Sequence, residues 1–175
     1  MSSKQYSAIG LVNPKSPTNV GGIMRAAGCY QADAVFYTGK RYPLAASNGT
    51  AQYNTDTKAA SEKIPLTGVE SLVDAIDADV SIICVDLVEG AIPLPEFEHP
   101  DKAIYIFGPE DGTISQQVIN RADAVVYVPT VGCMNLAASV NVLLYDRLAK
   151  SNVTVVGDDL IRRSRDKNNR VKVKR

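Results

Sequence analysis

Short runs of apolar, often β-branched residues alternate along the chain with segments that show helical periodicity. The run Val80–Val85 is almost entirely apolar, as expected for a central strand that is buried on both faces. The predicted strands are Ser7–Val12, Ala34–Tyr37, Ile64–Leu66, Val80–Val85, Ala103–Phe107 and Ala124–Val128. Strands that alternate with helices predict an α/β fold.

The segment Asn135–Lys150 carries the clearest helical pattern, because its leucines and Val140 recur with a period of 3.6 residues. A second helix is predicted over about Val20–Cys29, with Thr18 or Asn19 as its N-cap. Proline and polar residues indicate non-regular structure elsewhere. The remaining predictions are helices at 57–63, Val69–Ile76 and Ser115–Arg121, a loop at Thr38–Thr57, and irregular chain at Ala91–Pro95.

The composition is that of one globular domain, with 175 residues, 45% hydrophobic and 22% charged. No stretch is apolar enough for a membrane span or a signal peptide, so we expect a cytoplasmic protein. Cys29, Cys84 and Cys133 are too far apart in sequence to indicate a disulfide framework or a metal site, and we expect Cys29 and Cys84 in the core. His99 is predicted to be a solvated loop residue rather than a catalytic one.

The charge is divided unevenly along the chain. Residues 1–160 hold 11 Lys and Arg against 18 Asp and Glu, whereas residues 161–175 hold 8 against 1. We therefore expect a domain over 1–160 and a basic C-terminal tail over 161–175. Such a tail could neutralise nucleic-acid phosphates, or it could be a solubilising terminus that docks on the acidic body.

In three segments, small or polar residues stand where a strand or loop runs into a helix, the place where ligands gather in open α/β sheets. In the first, 19–27, Arg25 is the only charge among apolar neighbours, so it needs a ligand or an acidic partner such as Glu110. In the second, 104–115, an apolar strand ends at Gly108 and is followed by Glu110 and Asp111. In the third, 128–140, a strand ends at Pro129 and a tight loop leads to Asn135.

The usual phosphate-binding motifs are missing from the sequence. No G-x-G-x-x-G follows the first strand, and no G-x-x-x-x-G-K-[ST] occurs. The sequence therefore disfavours an α/β enzyme that binds a dinucleotide or a nucleoside triphosphate.

Together and in this order, the three segments resemble the motifs of the SpoU-type (TrmH-like) branch of the SPOUT RNA 2′-O-ribose methyltransferases. The family pattern is roughly N-x-G-x-x-x-R, then G-x-E-x-x-G-L, then I-P followed by S-x-N. The chain matches it at Asn19, Gly21, Arg25, Gly108, Glu110, Ile114, Ser115, Pro129, Asn135 and the helix that ends Leu143-Leu144-Tyr145-Asp146. It departs from the pattern at Thr113, where the family has Gly, and at Cys133, where it has Ser.

The resemblance implies a Rossmann-like parallel sheet flanked by helices, with a C-terminal trefoil knot. It also implies a homodimer whose active site uses both chains and S-adenosylmethionine as the cofactor. By analogy, the cofactor-binding residues are Asp86, Leu87, Phe107, Gly108, Val128, Pro129, Cys133 and Leu136.

The implied substrate is a ribose 2′-hydroxyl of tRNA or rRNA, and the implied catalytic residues are Arg25, Asn19, Glu110 and Asn135. Arg25 is expected to grip the target phosphate and orient the hydroxyl first, and to act as a base only second, because arginine is normally always protonated. Asn19 and Asn135 are expected to hold the ribose or nearby backbone, and Glu110 to fix Arg25 or Asn135.

Two other functions stay open at this point: an RNA-binding SPOUT-fold protein without catalysis, which Cys133 and Thr113 favour, and an RNA base methyltransferase. Cations and aromatic rings could contact RNA in either reading. The candidate RNA contacts are the basic tail and, in the loop Thr38–Thr57, Lys40, Arg41, Tyr42 and Tyr53.

Overall fold

A computed structural model describes residues 5–48, 60–152 and 155–174. Within these ranges, seven parallel strands form one sheet in the order β3-β2-β1-β6-β4-β7-β5. The strands are β1 (Tyr6–Leu11), β2 (Ala34–Tyr37), β3 (Leu66–Gly68), β4 (Ser81–Val85), β5 (Ile92–Pro93), β6 (Lys102–Phe107) and β7 (Ala124–Tyr127). The fold is thus the predicted parallel sheet with helices, while the trefoil knot stays a prediction.

The helices are α1 (Pro17–Cys29), α2 (Arg41–Asn48), α3 (Gln116–Ile119), α4 (Leu136–Lys150) and α5 (Asp158–Ser164), with 3-10 turns at Ala60–Lys63 and Leu94–Glu96. None of the helices in the described ranges is long and apolar enough to cross a bilayer. Helix α5 spans the expected boundary at residue 160, and the residues from 155 to 174 are almost all exposed. The division into a domain and a tail stays a prediction.

Both faces of the sheet are buried. Successive side chains of a strand point to opposite faces, and each face packs in its own hydrophobic cluster. In β6, Tyr105 and Phe107 pack in one cluster with residues of α1 and α4, whereas Ile104 and Ile106 pack in a second cluster. Helices α1 and α4 lie close together, since a Cβ on Gly22 would be only 3.3 Å from the Cβ of Ala137. The sheet and this helix pair fix the starts of α1 and α4 relative to the strand ends.

The predicted helix at Val69–Ile76 is wrong, because the structure has only turns there. Leu72 and Val73 are buried, so the apolar spacing reflects the core without a helix. Ser71 Oγ donates to Asp74 Oδ2 at 2.6 Å, a local bond of the kind that favours turns. A segment this short also has little intrinsic tendency to be helical.

The prediction of a loop over Thr38–Thr57 is wrong for its first half, where α2 begins at Arg41. Pro43 stands in the first turn of α2, where a proline costs no intrahelical hydrogen bond. Residues 49–57 of that loop, including Tyr53, lie outside the described residues. The prediction for Ala91–Pro95 is also wrong, because Ile92–Pro93 forms an edge strand, a place where proline is tolerated.

Two single-residue predictions are wrong as well. Cys29 is exposed at the end of α1, whereas Cys84 is fully buried as expected. The side chain of His99 is only 5% exposed, because the imidazole lies between the hydroxyl of Tyr105 and the carboxylate of Asp146, 2.8 Å from each. His99 is therefore part of a buried polar network rather than a solvated loop residue.

Candidate functional site

The ends of β4, β6 and β7 and the starts of α1 and α4 surround a cavity of about 450 Å³. The three segments singled out in the sequence all contribute to its walls. Of the predicted site residues, Arg25 and Pro129 do not line the cavity. Those that line it are Asn19, Asp86, Leu87, Phe107, Gly108, Glu110, Val128, Cys133, Asn135 and Leu136.

Asp86 ties the end of β4 to the segment that follows β6. Its Oδ2 accepts a hydrogen bond from the backbone N–H of Ile114 at 3.0 Å, and its Oδ1 accepts one from the N–H of Leu87 at 2.8 Å. Gly108 lies against this carboxylate, since a Cβ there would be 3.2 Å from Asp86 Oδ2 and 3.3 Å from the nitrogen of Ile114. The backbone of Gly108 therefore stays bare at the cavity wall.

Glu110 fixes the loop that precedes α1. Its two carboxylate oxygens accept hydrogen bonds from the backbone N–H of Lys15 at 2.9 Å and of Ser16 at 3.0 Å. The side-chain amide of Asn19 donates to the same carboxylate at 3.2 Å. Desolvation raises the pKa of Glu110, but its own N–H and these three donors together lower the pKa below the ordinary value. Glu110 is thus held in its ionised form.

A chain of side-chain hydrogen bonds links the three segments. Glu110 accepts from Asn19, and Asn19 Oδ1 in turn accepts from the amide Nδ2 of Asn135 at 3.0 Å. Asn135 Oδ1 caps α4, because it accepts from the N–H of Ala137 at 2.9 Å and of Ala138 at 3.2 Å. Glu110 therefore reaches Asn135 through Asn19.

Helix α1 begins earlier than predicted. Ser16 is its N-cap and accepts from the N–H of Asn19 at 3.2 Å, so the expected cap at Thr18 or Asn19 is wrong. Pro17 occupies the first turn, and the pair Ser-Pro is a helix-start signal that the sequence contained. With this start, the side chain of Asn19 is free to join the cavity.

Arg25 is exposed and has no hydrogen bond or ion pair to any residue that the structure describes. The alternative of an ion pair with Glu110 is therefore wrong. Six helical residues correspond to about 600° of rotation, so Arg25 points about 120° away from the side of Asn19. Within one chain, this arginine faces away from the cavity that Asn19 lines.

The loop between β7 and α4 covers one side of the cavity. Cys133 is exposed and lines it together with Thr130, Gly132 and Met134, three residues that the sequence analysis did not single out. Thr130 Oγ1 donates to the carbonyl of Gly132 at 3.0 Å, and Gly132 has a φ of 90°, a conformation that favours glycine. These residues lie within the segment 128–140, and their place in the loop between β7 and α4 was the signal that the sequence offered for them.

Arg41 is also a residue whose contacts the sequence did not reveal. Its guanidinium donates from Nη1 to both oxygens of Asp111, at 2.8 and 3.0 Å, and this lowers the pKa of Asp111. From Nε and Nη2 it donates to the carbonyl of Asn13, at 3.1 and 2.6 Å. Tyr42, another expected RNA contact, is buried with its ring edge-on to Tyr37 and is not available to stack on bases.

The site offers no arrangement for a metal ion. Groups of three or more His, Cys, Asp or Glu side chains close enough to hold one do not occur in ranges 5–48, 60–152 and 155–174. The cavity instead combines apolar side chains, namely Leu87, Phe107, Val128 and Leu136, with exposed backbone at Gly108. Such a wall suits an organic ligand with a flat apolar part.

Fold and site together define an α/β protein with a ligand cavity at the carboxyl edge of a parallel sheet. The model of the SpoU rRNA methylase family matches residues 7–145, which include all three segments. The chain belongs to this family. A comparison with curated proteins gives no match.

Solved structures share the fold at low sequence identity. The SpoU methyltransferase AviRb from Streptomyces viridochromogenes, in complex with AdoMet, is 18% identical with a TM-score of 0.67 over 84% of this chain and 58% of that one. A TrmH-family putative RNA methyltransferase from Porphyromonas gingivalis is 20% identical with a TM-score of 0.68 over 85% and 61%. The chain thus spans about three fifths of the length of these relatives.

A third structure matches over nearly its whole length. It comes from work on the 2-OH methylation of C/U34 on tRNA and is 18% identical, with a TM-score of 0.71 over 86% of this chain and 93% of that one. These likenesses place the sheet and the helices of this chain in the same fold as the methyltransferases.

Proposed function

We propose that this protein is an RNA 2′-O-ribose methyltransferase that uses S-adenosylmethionine. The observation that carries the proposal is the single cavity lined by all three motif segments, with Glu110, Asn19 and Asn135 joined by hydrogen bonds. Family membership supports the same chemistry.

The cavity fits S-adenosylmethionine. The cofactor has no phosphate, which agrees with the missing phosphate loops, and its adenine suits the apolar walls at Phe107, Val128 and Leu136. The bare backbone at Gly108 allows the closest approach, next to Leu87 and Asp86. When bound, the cofactor supplies a methyl group on a positively charged sulfur. Cys133, at the rim, needs no covalent role in this transfer.

The residues of this chain would position the attacking hydroxyl. Asn135 and Asn19 hold the ribose, and Glu110 keeps Asn19 in place with its ionised carboxylate. Alignment of two reactants can lower the free-energy barrier of a reaction by about 7–11 kcal/mol in ideal cases. Arg25 orients the target phosphate and the 2′-hydroxyl through the donors of its planar guanidinium.

We also propose that two copies of the chain form the active site. Arg25 is exposed and has no partner among the residues that the structure describes, so a second copy can present its own Arg25 to the cavity. Val142, Tyr145 and Leu148 recur every three residues on α4 and are exposed apolar side chains of the kind that interfaces cover. Across such an interface, the partner's Arg25 would face Asn135.

The RNA substrate would be tRNA or rRNA. Lys40 and the basic tail at 161–175 remain the candidate phosphate contacts, because Arg41 and Tyr42 are engaged within the chain. The tail is exposed throughout its described part except for Arg165, which is half-buried.

The test is methyl transfer from trideuterated S-adenosylmethionine to RNA from cells that lack this protein. Mass spectrometry of the nucleosides should find the label on ribose in one or a few positions, with the wild-type chain only. Label on a base supports base methylation, and cofactor-independent RNA binding without label supports the non-catalytic alternative. Arg25→Ala should abolish transfer and keep cofactor binding, and full turnover by that variant contradicts the assigned role.

A further inference from the structure

Asn13, Arg41 and Asp111 form a second set of contacts beside the Glu110–Asn19–Asn135 chain. We propose that Arg41 is a positioning residue for the methyl transfer, because its guanidinium clamps the loop after β1 to the loop after β6. This inference rests on the proposed function. In this inference, Arg41 contacts other residues of the protein and does not bind RNA.

The two loops that Arg41 joins are the ones that set the place of Asn19. Arg41 donates to the carbonyl of Asn13 and to the carboxylate of Asp111, with four short contacts between 2.6 and 3.1 Å. Two residues after Asn13, the backbone of Lys15 bonds to Glu110, the direct neighbour of Asp111. The two loops are thus joined at two neighbouring places, by Arg41 and by Glu110.

The backbone at Asn13 adopts an uncommon conformation next to the clamp. Asn13 has a φ of 42°, in the left-handed region that few residues other than glycine adopt, although asparagine does so more often than most. Its Oδ1 is buried and finds no hydrogen-bond donor in the part of the chain that the structure describes. Gly39 presses on that side chain so closely that a Cβ in its place would collide with Oδ1. The left-handed backbone and the unsatisfied Oδ1 of Asn13 both cost free energy, and the contacts around Asn13 stabilise this conformation against that cost.

A guanidinium is suited to this task, and an ammonium is not. Arg41 addresses two acceptors on different loops at once through its planar fork of donors. A lysine keeps the positive charge but offers one compact head group. Arg41→Lys therefore keeps the positive charge but removes the contacts to two loops at once, so it distinguishes an effect of the clamp from an effect of charge.

The experiment compares Arg41→Lys, Asp111→Asn and the double variant with the wild-type chain. Arg121→Lys is the matched control, because Arg121 also pairs with an aspartate, Asp74, at 2.8 Å, but this pair lies away from the loops after β1 and β6. We expect each single variant to lower kcat by about 10-fold to 100-fold, as a small misplacement of reacting groups does, with a nearly constant KM for RNA. The double variant should be no slower than the slower single one, and Arg121→Lys should behave as wild type.

A role in RNA binding gives the opposite result. If Arg41 met phosphate, Arg41→Lys would raise KM for RNA while keeping the salt dependence of binding, because the charge is kept, and Asp111→Asn would tighten binding. Either result, with kcat unchanged, overturns the inference.

A second measurement does not depend on turnover. The backbone amides of Lys15 and Ser16 should exchange faster with solvent in Arg41→Lys than in the wild type or in Arg121→Lys, because the two loops that Lys15, Ser16 and Glu110 belong to are no longer clamped to each other by Arg41. Unchanged exchange overturns the clamp. If the wild type methylates no RNA, the proposed function fails, and amide exchange alone then decides whether Arg41 positions these loops.

Discussion

Asn135 combines two roles that substitutions can separate. Its Oδ1 caps α4 through the N–H groups of Ala137 and Ala138, and its amide Nδ2 donates to Asn19. Replacing a good N-cap by alanine costs about 0.5–2 kcal/mol of stability, whereas aspartate caps as well as asparagine does. Asn135→Ala should therefore lower the free energy of unfolding by about 1 kcal/mol, and Asn135→Asp should leave it nearly unchanged.

The two variants should be equally poor in methyl transfer. Both lose the amide donor to Asn19, and the aspartate also places a second negative charge near Glu110. We expect kcat to fall by about 100-fold in each, the scale of a misplaced reacting group. For a domain of this size, 1 kcal/mol corresponds to a Tm shift of about 2–4 °C, so Asn135→Ala should show that shift and Asn135→Asp should not.

The assay combines thermal unfolding with the deuterated methyl-transfer measurement on the same protein batches. Asn141→Asp is the control for added charge, because Asn141 lies on the exposed side of α4 and its Nδ2 donates to the carbonyl of Ala137 rather than to a residue of the cavity. Wild-type turnover by Asn135→Asp would refute the proposed role of the amide. An unchanged Tm of Asn135→Ala would refute the capping role.

Three further predictions concern stability and RNA binding. Desolvation, only partly offset by the hydrogen bond to Asp146, lowers the pKa of His99 below 6.5, so the unfolded chain takes up more protons as the pH falls below that value. Urea unfolding should show a loss of stability toward pH 5 that His99→Phe lacks, and equal pH profiles would contradict it. Gly22→Val should cost about 1–3 kcal/mol by overpacking Ala137, and a wild-type Tm would refute this contact. Deleting residues 161–175 should weaken RNA binding and flatten its salt dependence, and unchanged binding at all salt concentrations would leave the tail as a solubiliser.

The sequence predicted the parts of the fold that depend on local pattern. Strands β1, β2, β4, β6 and β7 and helix α4 lie within one or two residues of their predicted bounds, since buried strands and a long amphipathic helix leave clear periodic signals. Val69–Ile76 has the apolar periodicity of a helix but forms turns, which the burial of Leu72 and the hydrogen bond from Ser71 to Asp74 stabilise. Periodicity alone does not distinguish these two cases.

The sequence predicted most residues that line the cavity, because they belong to the three motif segments, but it did not predict contacts between residues that are distant in sequence. Asn19, Glu110 and Asn135 were singled out from three separate segments, and the structure joins them. The outward orientation of Arg25 follows from its position on α1, whose buried side holds Ile23, Ala26 and Ala27. The clamp of Arg41 on Asp111 joins residues 70 positions apart. No local pattern reports such a contact. The burial of His99 depends in the same way on Asp146, 47 positions away.

The binding site of the methyl donor gives the most direct test of the proposed function. Amide hydrogen exchange of the wild-type chain should be measured with and without S-adenosylmethionine. We expect the cofactor to protect residues 86–88, 107–112 and 128–136 together, because residues from all three stretches line one cavity. Protection of only one stretch, or of residues outside the cavity, would contradict it.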